Sequence, residues 1–371
     1  MAKFVVTPWE VTGDVNYDKL VKDFGTTRIS KQLLEKTKKH TGKLHLFLRR
    51  GLFFSHRDFD KILDDYEKGN KFFLYTGRGP SGKTHLGHLI PWIFAKHLQD
   101  KFKAEMYFQL TDDEKYLVKN LTLDQTIGFS YDNALDVIAC GFNPKKTFIF
   151  LDTEYSKSLY KMAIKISKHI TFSITKSVFG FQNSSNIGLI FFPAMQAAPC
   201  FFPSELKKKK MNCLIPAAID QDPYWRGIAR YVAPKLGYPK PAQIHNKFLP
   251  GLGESGKMSS SKPNTCIFTT DDPDIVKKKI WNAFTGGRGS KKEQMEKGGN
   301  PDICKIYQYL YYMFEEDDKK LKERYNNCKK GKILCGECKI YLTNKINKFL
   351  KEHQKRRQKA KKQLDKFILR D

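Results

Sequence analysis

The stretch GRGPSGKTHLGH, Gly77 to His88, holds two phosphate-handling patterns end to end. Gly77 to Thr84 spell G-x-x-x-x-G-K-T, the spacing with which a glycine-rich loop wraps a nucleotide's phosphates while a lysine reaches them. His85 to His88 spell H-L-G-H. The first reading has support on both sides. KFFLYT (71–76) supplies a strand before the glycines, a helix follows, and TFIFLD (147–152) ends in Asp152, as a magnesium-holding strand would. In the second reading a helix begins near Thr84 and sets His85 and His88 on one face of its first turn. Free N–H groups and the positive end of the helix dipole already favour phosphate there. Gly87, between them, lets a flat base lie against bare backbone.

A second segment decides between the two. GLGESGKMSSS, Gly251 to Ser261, is a glycine-flanked loop whose tip carries Lys257 followed by three hydroxyls. This is a movable phosphate clamp. A phosphate-binding loop of the first kind has no use for another, and a plain polar surface loop does not explain why K-M-S-S-S follows H-L-G-H at this distance and in this order.

Around these motifs, KFFLYT (71–76), AEMYFQL (104–110), TFIFLD (147–152) and NCLIPAAI (212–219) read as short buried strands. Helical patterns at 122–140 and 157–170 separate them. Such alternation predicts an α/β fold, a parallel sheet covered on both faces, with ligands at the carboxyl ends of its strands. Past residue 265 the strand signal stops, and 273–283, 302–325 and 337–369 read as helices. Ile346, Phe349, Leu350, His353, Ala360, Leu364 and Phe367 form an apolar stripe on the last. Ten of the 22 residues from Lys345 to Lys366 are basic and lie mostly off that stripe.

H-L-G-H with K-M-S-S-S resembles the signature pair of class I aminoacyl-tRNA synthetases. VTPWEV (6–11), HLFLRRGLFFSHRDFD (45–60), FFLYTGRGPS (72–81), LTDDEKYL (110–117), IACGFN (138–143), FPAMQAAP (192–199), AAIDQDPYWR (217–226) and AFTGGR (283–288) extend the likeness over nearly the whole chain. In that order they resemble tryptophanyl-tRNA synthetases of the eukaryotic cytosolic kind. The resemblance implies activation of tryptophan by ATP, with Mg²⁺ on the phosphates, and transfer to tRNA(Trp). It assigns catalysis to His85, His88 and Lys257, and tryptophan binding to Tyr75, Gln109, Glu114 and Gln221. Arg78, Gly79, Gly87, Lys115, Asp220, Met258 and Ser259 fall to ATP, and no resident metal is expected. The domains expected are an extension over 1–70 (a β-hairpin and helices packed on the catalytic domain), a Rossmann-like catalytic domain over 71–265 and a helical anticodon-binding domain over 266–371. A homodimer contact falls near 171–202, and the last helix can return onto the catalytic domain. Three positions depart from the pattern: the Gly82-Lys83-Thr84 segment is one residue short, Ser260 replaces a second loop lysine, and Gly289 stands where an acidic residue is expected. The rivals are a tyrosine ligase, an ATPase using Gly77–Thr84, and a non-catalytic RNA-binding relative.

Composition agrees with a nucleic-acid partner. Lys and Arg number 67 against 39 Asp and Glu, a net charge of +28 that calls for a polyanion. No run of about 18 apolar residues offers a membrane span, and the opening MAKFVVTPWEVTG lacks a signal peptide's apolar core. Eight scattered cysteines are too few for a disulfide scaffold and suggest a reducing, cytoplasmic setting. One CxxC, Cys335 to Cys338, has only Cys304, Cys328 and His353 nearby in sequence, at spacings unsuited to zinc, and is read as chance.

Overall fold

Seven strands share one sheet in the order β3-β4-β9-β8-β5-β6-β7. They are β3 (Thr27–Arg28), β4 (Phe53–Arg57), β5 (Phe72–Arg78), β6 (Met106–Leu110), β7 (Thr147–Leu151), β8 (Asn212–Ala218) and β9 (Ala242–Asn246). A separate hairpin pairs β1 (Val5–Val6) with β2 (Val11–Thr12). The structure, a computed structural model, describes residues 5–6, 11–12, 15–254, 256–260 and 262–371. Residues 7–10 of the VTPWEV block, with Ser255 and Ser261 of the clamp loop, lie outside the described residues.

The strands from β9 to β7 run parallel, and β4 and β3 continue the sheet antiparallel. The four expected strands are all present. They read as continuous apolar runs because helices cover both faces of the sheet. Side chains alternate between two cores: Phe72 and Leu74 face one, Phe73 and Tyr75 the other. From β5 the chain first winds outward through β6 to β7, then returns to place β8 on the opposite flank of β5. That reversal opens a crevice at the carboxyl ends of β5 and β8, where such Rossmann-like sheets receive ligands.

Strands β4 and β9 escape the periodicity argument for a physical reason. β9 reads AQIHN, yet Gln243, His245 and Asn246 are buried. The polarity of His245 is met internally: Ser55 Oγ on β4 lies 3.0 Å from His245 Nδ1, and His245 Nε2 lies 3.4 Å from Asp222, while Gln243 Nε2 and Asn246 Oδ1 have no hydrogen-bond partner among the described residues.

Beyond residue 265 the described residues are helical, with two differences from the expected boundaries. The helix expected over 302–325 is broken. Lys305–Tyr309 runs on into a π-turn at Leu310–Phe314, and a new helix, Asp318–Lys329, starts where Asp317 accepts from the Lys319 and Lys320 amides. The last helix spans Cys335–Lys361. The chain then runs beside β7, with Ile149 N–H donating to Phe367 O (2.7 Å) and Leu369 N–H to Ile149 O (2.7 Å). This covers the outer edge of the sheet. The last helix packs on the helix Leu123–Ala139 through His353 Nε2 against Asp136 (2.9 Å) and Arg356 Nε donating to Ala139 O (2.6 Å). Arg357 pairs with Asp132 on the same helix.

His353 and Asp136 are each about 1% exposed, so neither can turn to water. His353→Ala is expected to lower the unfolding free energy by about 2–4 kcal/mol, because it leaves a buried carboxyl short of a partner. The measure is the urea midpoint, and an unchanged midpoint contradicts this interlock.

Candidate active site

The ends of β5, β6 and β8 position the crevice residues. Gly77 and Arg78 lie beside Gln109 and Leu110 in parallel register, and β8 leads into the turn Ile219–Gln221. Asp222 anchors that turn. Burial alone would raise its carboxyl, but Arg57 and His245 hold it down at about 2.

After β5 the chain bends at Ser81–Gly82 without forming a helical turn, and the helix Leu86–Phe102 begins only after His85, its N-cap. Thr84 to Leu86 bridge to Ile267–Thr269: Leu86 N–H donates to Ile267 O (3.0 Å) and Thr269 N–H to Thr84 O (2.9 Å). Lys83 is therefore exposed and precedes the helix by three residues, not at its first turn as the G-K-T reading requires. Asp152, the supposed magnesium ligand of that reading, is buried and accepts from Gln109 Nε2 at 2.7 Å. The Gly77–Thr84 pattern is a coincidence of letters.

His85 and His88 do share the first turn, their rings stacked with centroids 3.5 Å apart. The helix starts two residues later than the expected Thr84, and the two rings still face one way. His88 Nδ1 accepts from the His85 N–H (3.1 Å), which leaves Nε2 of His88 as the protonated donor. Burial, with Arg78 close by, holds both imidazoles well below their ordinary value, so both are neutral without an anion. A Cβ on Gly87 would stand 3.1 Å from the His85 ring and 3.8 Å from Met258 Cβ, so Gly87 forms a narrow floor between them.

Arg78 is buried, and burial lowers it to about 10, still charged near neutrality. Its Nη2 donates to the Gly82 (3.3 Å) and Lys83 (3.1 Å) carbonyls. Its Nε and Nη1 are buried donors with no hydrogen-bond partner among the described residues, as suits an awaited anion. Gly79 is where Lys115 crosses; a Cβ there would meet Lys115 Nζ at 2.7 Å. Lys115 Nζ pairs with Glu114 (2.7 Å), whose other oxygen accepts from Thr111 Oγ1 (3.0 Å).

On the far side Tyr75 donates to Gln109 Oε1 and to Gln196 O, the latter at 2.8 Å. Gln109 Nε2 is held by Asp152, which also meets Asp113. Burial raises both carboxyls of this pair, so they keep a proton between them. The carboxyl thus fixes which end of the Gln109 amide faces Tyr75. Gln196 and Asp113 were not singled out by motif reading, and Asp152 was read only as a magnesium ligand of the Gly77–Thr84 pattern; their contacts join strands and helices far apart in sequence.

The clamp loop closes on itself through Gly251 N–H to Gly256 O (3.0 Å) and Met258 N–H to Leu249 O (2.9 Å). Lys257 Nζ lies 3.4 Å from Asp220 Oδ2, and Gln221 bonds the same carboxyl. Met258 is buried and Ser259 half-buried. His85, His88, Arg78, Gly87, Met258, Lys257 and Asp220 thus border one end of the crevice. Tyr75 and Gln109 border the other, Glu114 and Lys115 lie against Gly79 next to Arg78, and Gln221 bonds Asp220.

A family model described as class I tRNA synthetases (W and Y) matches residues 67–351. The chain belongs to this family. It is an aminoacyl-tRNA ligase. The tryptophan–tRNA ligase of Pyrococcus abyssi is 58% identical over 368 residues, 98% of this chain and 94% of that protein. That of Saccharolobus solfataricus is 54% identical over 362 residues, 97% and 93% of the two chains. The solved tryptophanyl-tRNA synthetase from Giardia lamblia superposes with a TM-score of 0.88 at 38% identity, over 96% of each chain.

The Asp152 contact yields a test. Asp152→Asn keeps a neutral oxygen for Gln109 and is expected to change the KM for tryptophan by less than about threefold. Asp152→Leu frees the amide and is expected to raise that KM by about tenfold, the loss of one buried hydrogen bond. Equal effects of the two variants in steady-state activation kinetics would contradict the orienting role.

Proposed function

We infer that the chain activates tryptophan with ATP, releasing pyrophosphate, and transfers the tryptophanyl group to tRNA(Trp). The observation that supports this is the start of the helix at Leu86, with both histidines, not Lys83, on its first turn. Tryptophan's carboxylate is already the nucleophile, so the residues need only align it and receive charge on the phosphate oxygens. His88 donates from Nε2. Arg78 supplies fixed positive charge beside it, and Lys257 leaves Asp220 to follow the departing pyrophosphate as its glycine-flanked loop moves. Gly87 and Met258 receive the adenine, with Ser259 next to them, and Asp220 receives the ribose. Gly79 and Lys115 complete the ATP side.

At the other end, Gln109 and Tyr75 receive the indole N–H, and Glu114 and Gln221 the ammonium and polar end of the amino acid. A competitor without that N–H leaves buried oxygen unpaired, a penalty of about 1–3 kcal/mol. Magnesium fits as part of the nucleotide: among the described residues no three acidic, histidine or cysteine groups form a single-ion site, and Asp152 and Asp113 are spent on each other. Bound with ATP, it adds charge neutralisation on the phosphates.

We assign tRNA anticodon contacts to the helical region 266–371 and a homodimer contact to 171–202, where Ile187 stands 85% exposed. The motif blocks support a place beside the eukaryotic cytosolic enzymes, although the relatives named above at 58% and 54% identity are archaeal. A cytoplasmic location goes with this reading; among the described residues no helix is long and apolar enough to cross a membrane.

ATP–pyrophosphate exchange run with each amino acid tests the assignment: tryptophan is expected to drive it and tyrosine scarcely at all, and best exchange with tyrosine would overturn it. In the same assay Lys83→Met is expected to cost less than about tenfold in kcat/KM, about 1.4 kcal/mol. His88→Ala and Lys257→Ala are each expected to cost about a hundredfold or more. The reverse order would restore the Gly77–Thr84 reading.

A further inference from the structure

The block HLFLRRGLFFSHRDFD (45–60) supplies none of the residues assigned to substrate, yet its last residues reach the crevice at one remove. Strand β4 ends at Arg57, and Asp58 follows with φ 56°, a left-handed backbone that few side chains other than Asp and Asn tolerate. The turn aims Arg57 and Asp58 at the two ends of one segment. Arg57 Nε and Nη2 donate to the two oxygens of Asp222, Nη2 at 2.8 Å. Asp58 Oδ2 accepts from Arg230 Nη2 at 2.6 Å. Two adjacent residues of opposite charge thus clasp Asp222 and Arg230, one at each end of the 222–230 segment.

Between the two grips the winding changes. Asp222–Tyr224 is a short helical stretch, and Trp225–Ala229 is a π-turn, a rare winding that gathers at functional sites. Crevice groups adjoin the clasp on both sides of Asp222. Asp220 and Gln221 precede it directly, and Trp225 meets Tyr75 edge-on with ring centroids 5.2 Å apart.

Arg57 also ties this segment to the N-terminal extension. Its Nη1 donates to Gly25 O (3.0 Å) and its Nη2 to Phe24 O, carbonyls at the end of the helix Tyr17–Phe24. The negative end of that helix dipole favours a guanidinium there. At the other end of the helix, Tyr17 Oη accepts from Phe248 N–H (3.0 Å), and the Phe248 ring lies 5.0 Å from Lys257 Nζ. The Asp222 side chain is fully buried and that of Arg57 only 13% exposed, so water scarcely competes for these bonds. Serving a carboxylate and two carbonyls at once takes the planar fork of an arginine, which a lysine lacks.

We propose that Arg57 is a positioning residue for amino-acid activation: through Asp222 it fixes the 219–230 segment, and so the alignment of the amino-acid and nucleotide ends of the crevice. This rests on the assignment of Asp220 and Gln221 to substrate. Arg57 acts through Asp222, not on the substrate, and transfers no proton. The carboxylate nucleophile must meet the α-phosphorus in line, and a displacement of about 1 Å costs about a hundredfold. Asp220 and Gln221 are adjacent and shift as one body, so each keeps its contact while the line of attack is lost. The loss therefore falls on kcat more than on KM.

The test is ATP–pyrophosphate exchange with tryptophan, with the enzyme counted by active-site titration. Arg57→Lys keeps the charge but not the fork; it is expected to lower kcat about tenfold and to leave both KM values within about threefold. Arg57→Gln/Asp222→Asn leaves no buried charge unpaired, so it is expected to keep the wild-type urea midpoint while kcat falls at least about tenfold. In Arg57→Ala, millimolar guanidinium is expected to raise kcat at least about threefold by refilling the fork. Unchanged kcat in the double variant, or a loss in Arg57→Lys that only matches a smaller titrated active fraction, would overturn the proposal alone. A wild-type chain inert toward tryptophan would overturn the reading of the site, and this proposal with it.

Discussion

The short bridge between residues 84–86 and 267–269 is the constraint on which the site depends. Two hydrogen bonds, Leu86 N–H to Ile267 O and Thr269 N–H to Thr84 O, keep His85 extended and forbid the helix from starting earlier. With φ −119° and ψ 167°, His85 has the backbone of an N-cap and not of a helical residue. Had the helix begun at Lys83, that lysine would occupy the first turn and the histidines would rotate away from the crevice. A contact between segments about 180 residues apart thus settles which of the two overlapping motifs stands on the helix's first turn. It also ties the clamp loop's C-terminal flank to the same point, so the loop moves from a fixed base.

The crevice separates two kinds of electrostatics. At the His85–His88 end Arg78 is buried with free donors, and both imidazoles are neutral. The positive charge comes from groups that cannot lose it, while the neutral histidines donate without repelling the guanidinium. At the Tyr75–Gln109 end a carboxyl pair keeps its proton and fixes the Gln109 amide. Charge there would cost far more than it returned, because a buried unpaired carboxylate is heavily penalised.

Much of this was legible in the sequence, and the remainder was not for definite reasons. The four apolar strands announced the sheet, and H-L-G-H with K-M-S-S-S announced the phosphate end. β9 was invisible because Gln243, His245 and Asn246 are buried, with His245 held between Ser55 and Gln243 inside the core, and polarity normally signals a surface. Asp152 drew attention for the wrong reason: its position at a strand end is compatible with a metal ligand, and only the packed neighbours show it committed to Gln109. The break at Asp317 is written as an N-cap signal inside a long helical pattern, which apolar periodicity overrides. The clasp on the 222–230 segment needed the folded path of the chain, since no spacing rule brings Arg57 to Asp222 or Asp58 to Arg230.

The most direct test of the account is a crystal structure with a non-hydrolysable tryptophanyl-adenylate analogue. The account predicts the phosphate beside His88 Nε2 and Arg78, the adenine between Gly87 and Met258, and the indole N–H on Gln109 and Tyr75, with Lys83 in solvent. Phosphate wrapped by the backbone of residues 79–84 and capped by Lys83, with the histidines turned away, would contradict it.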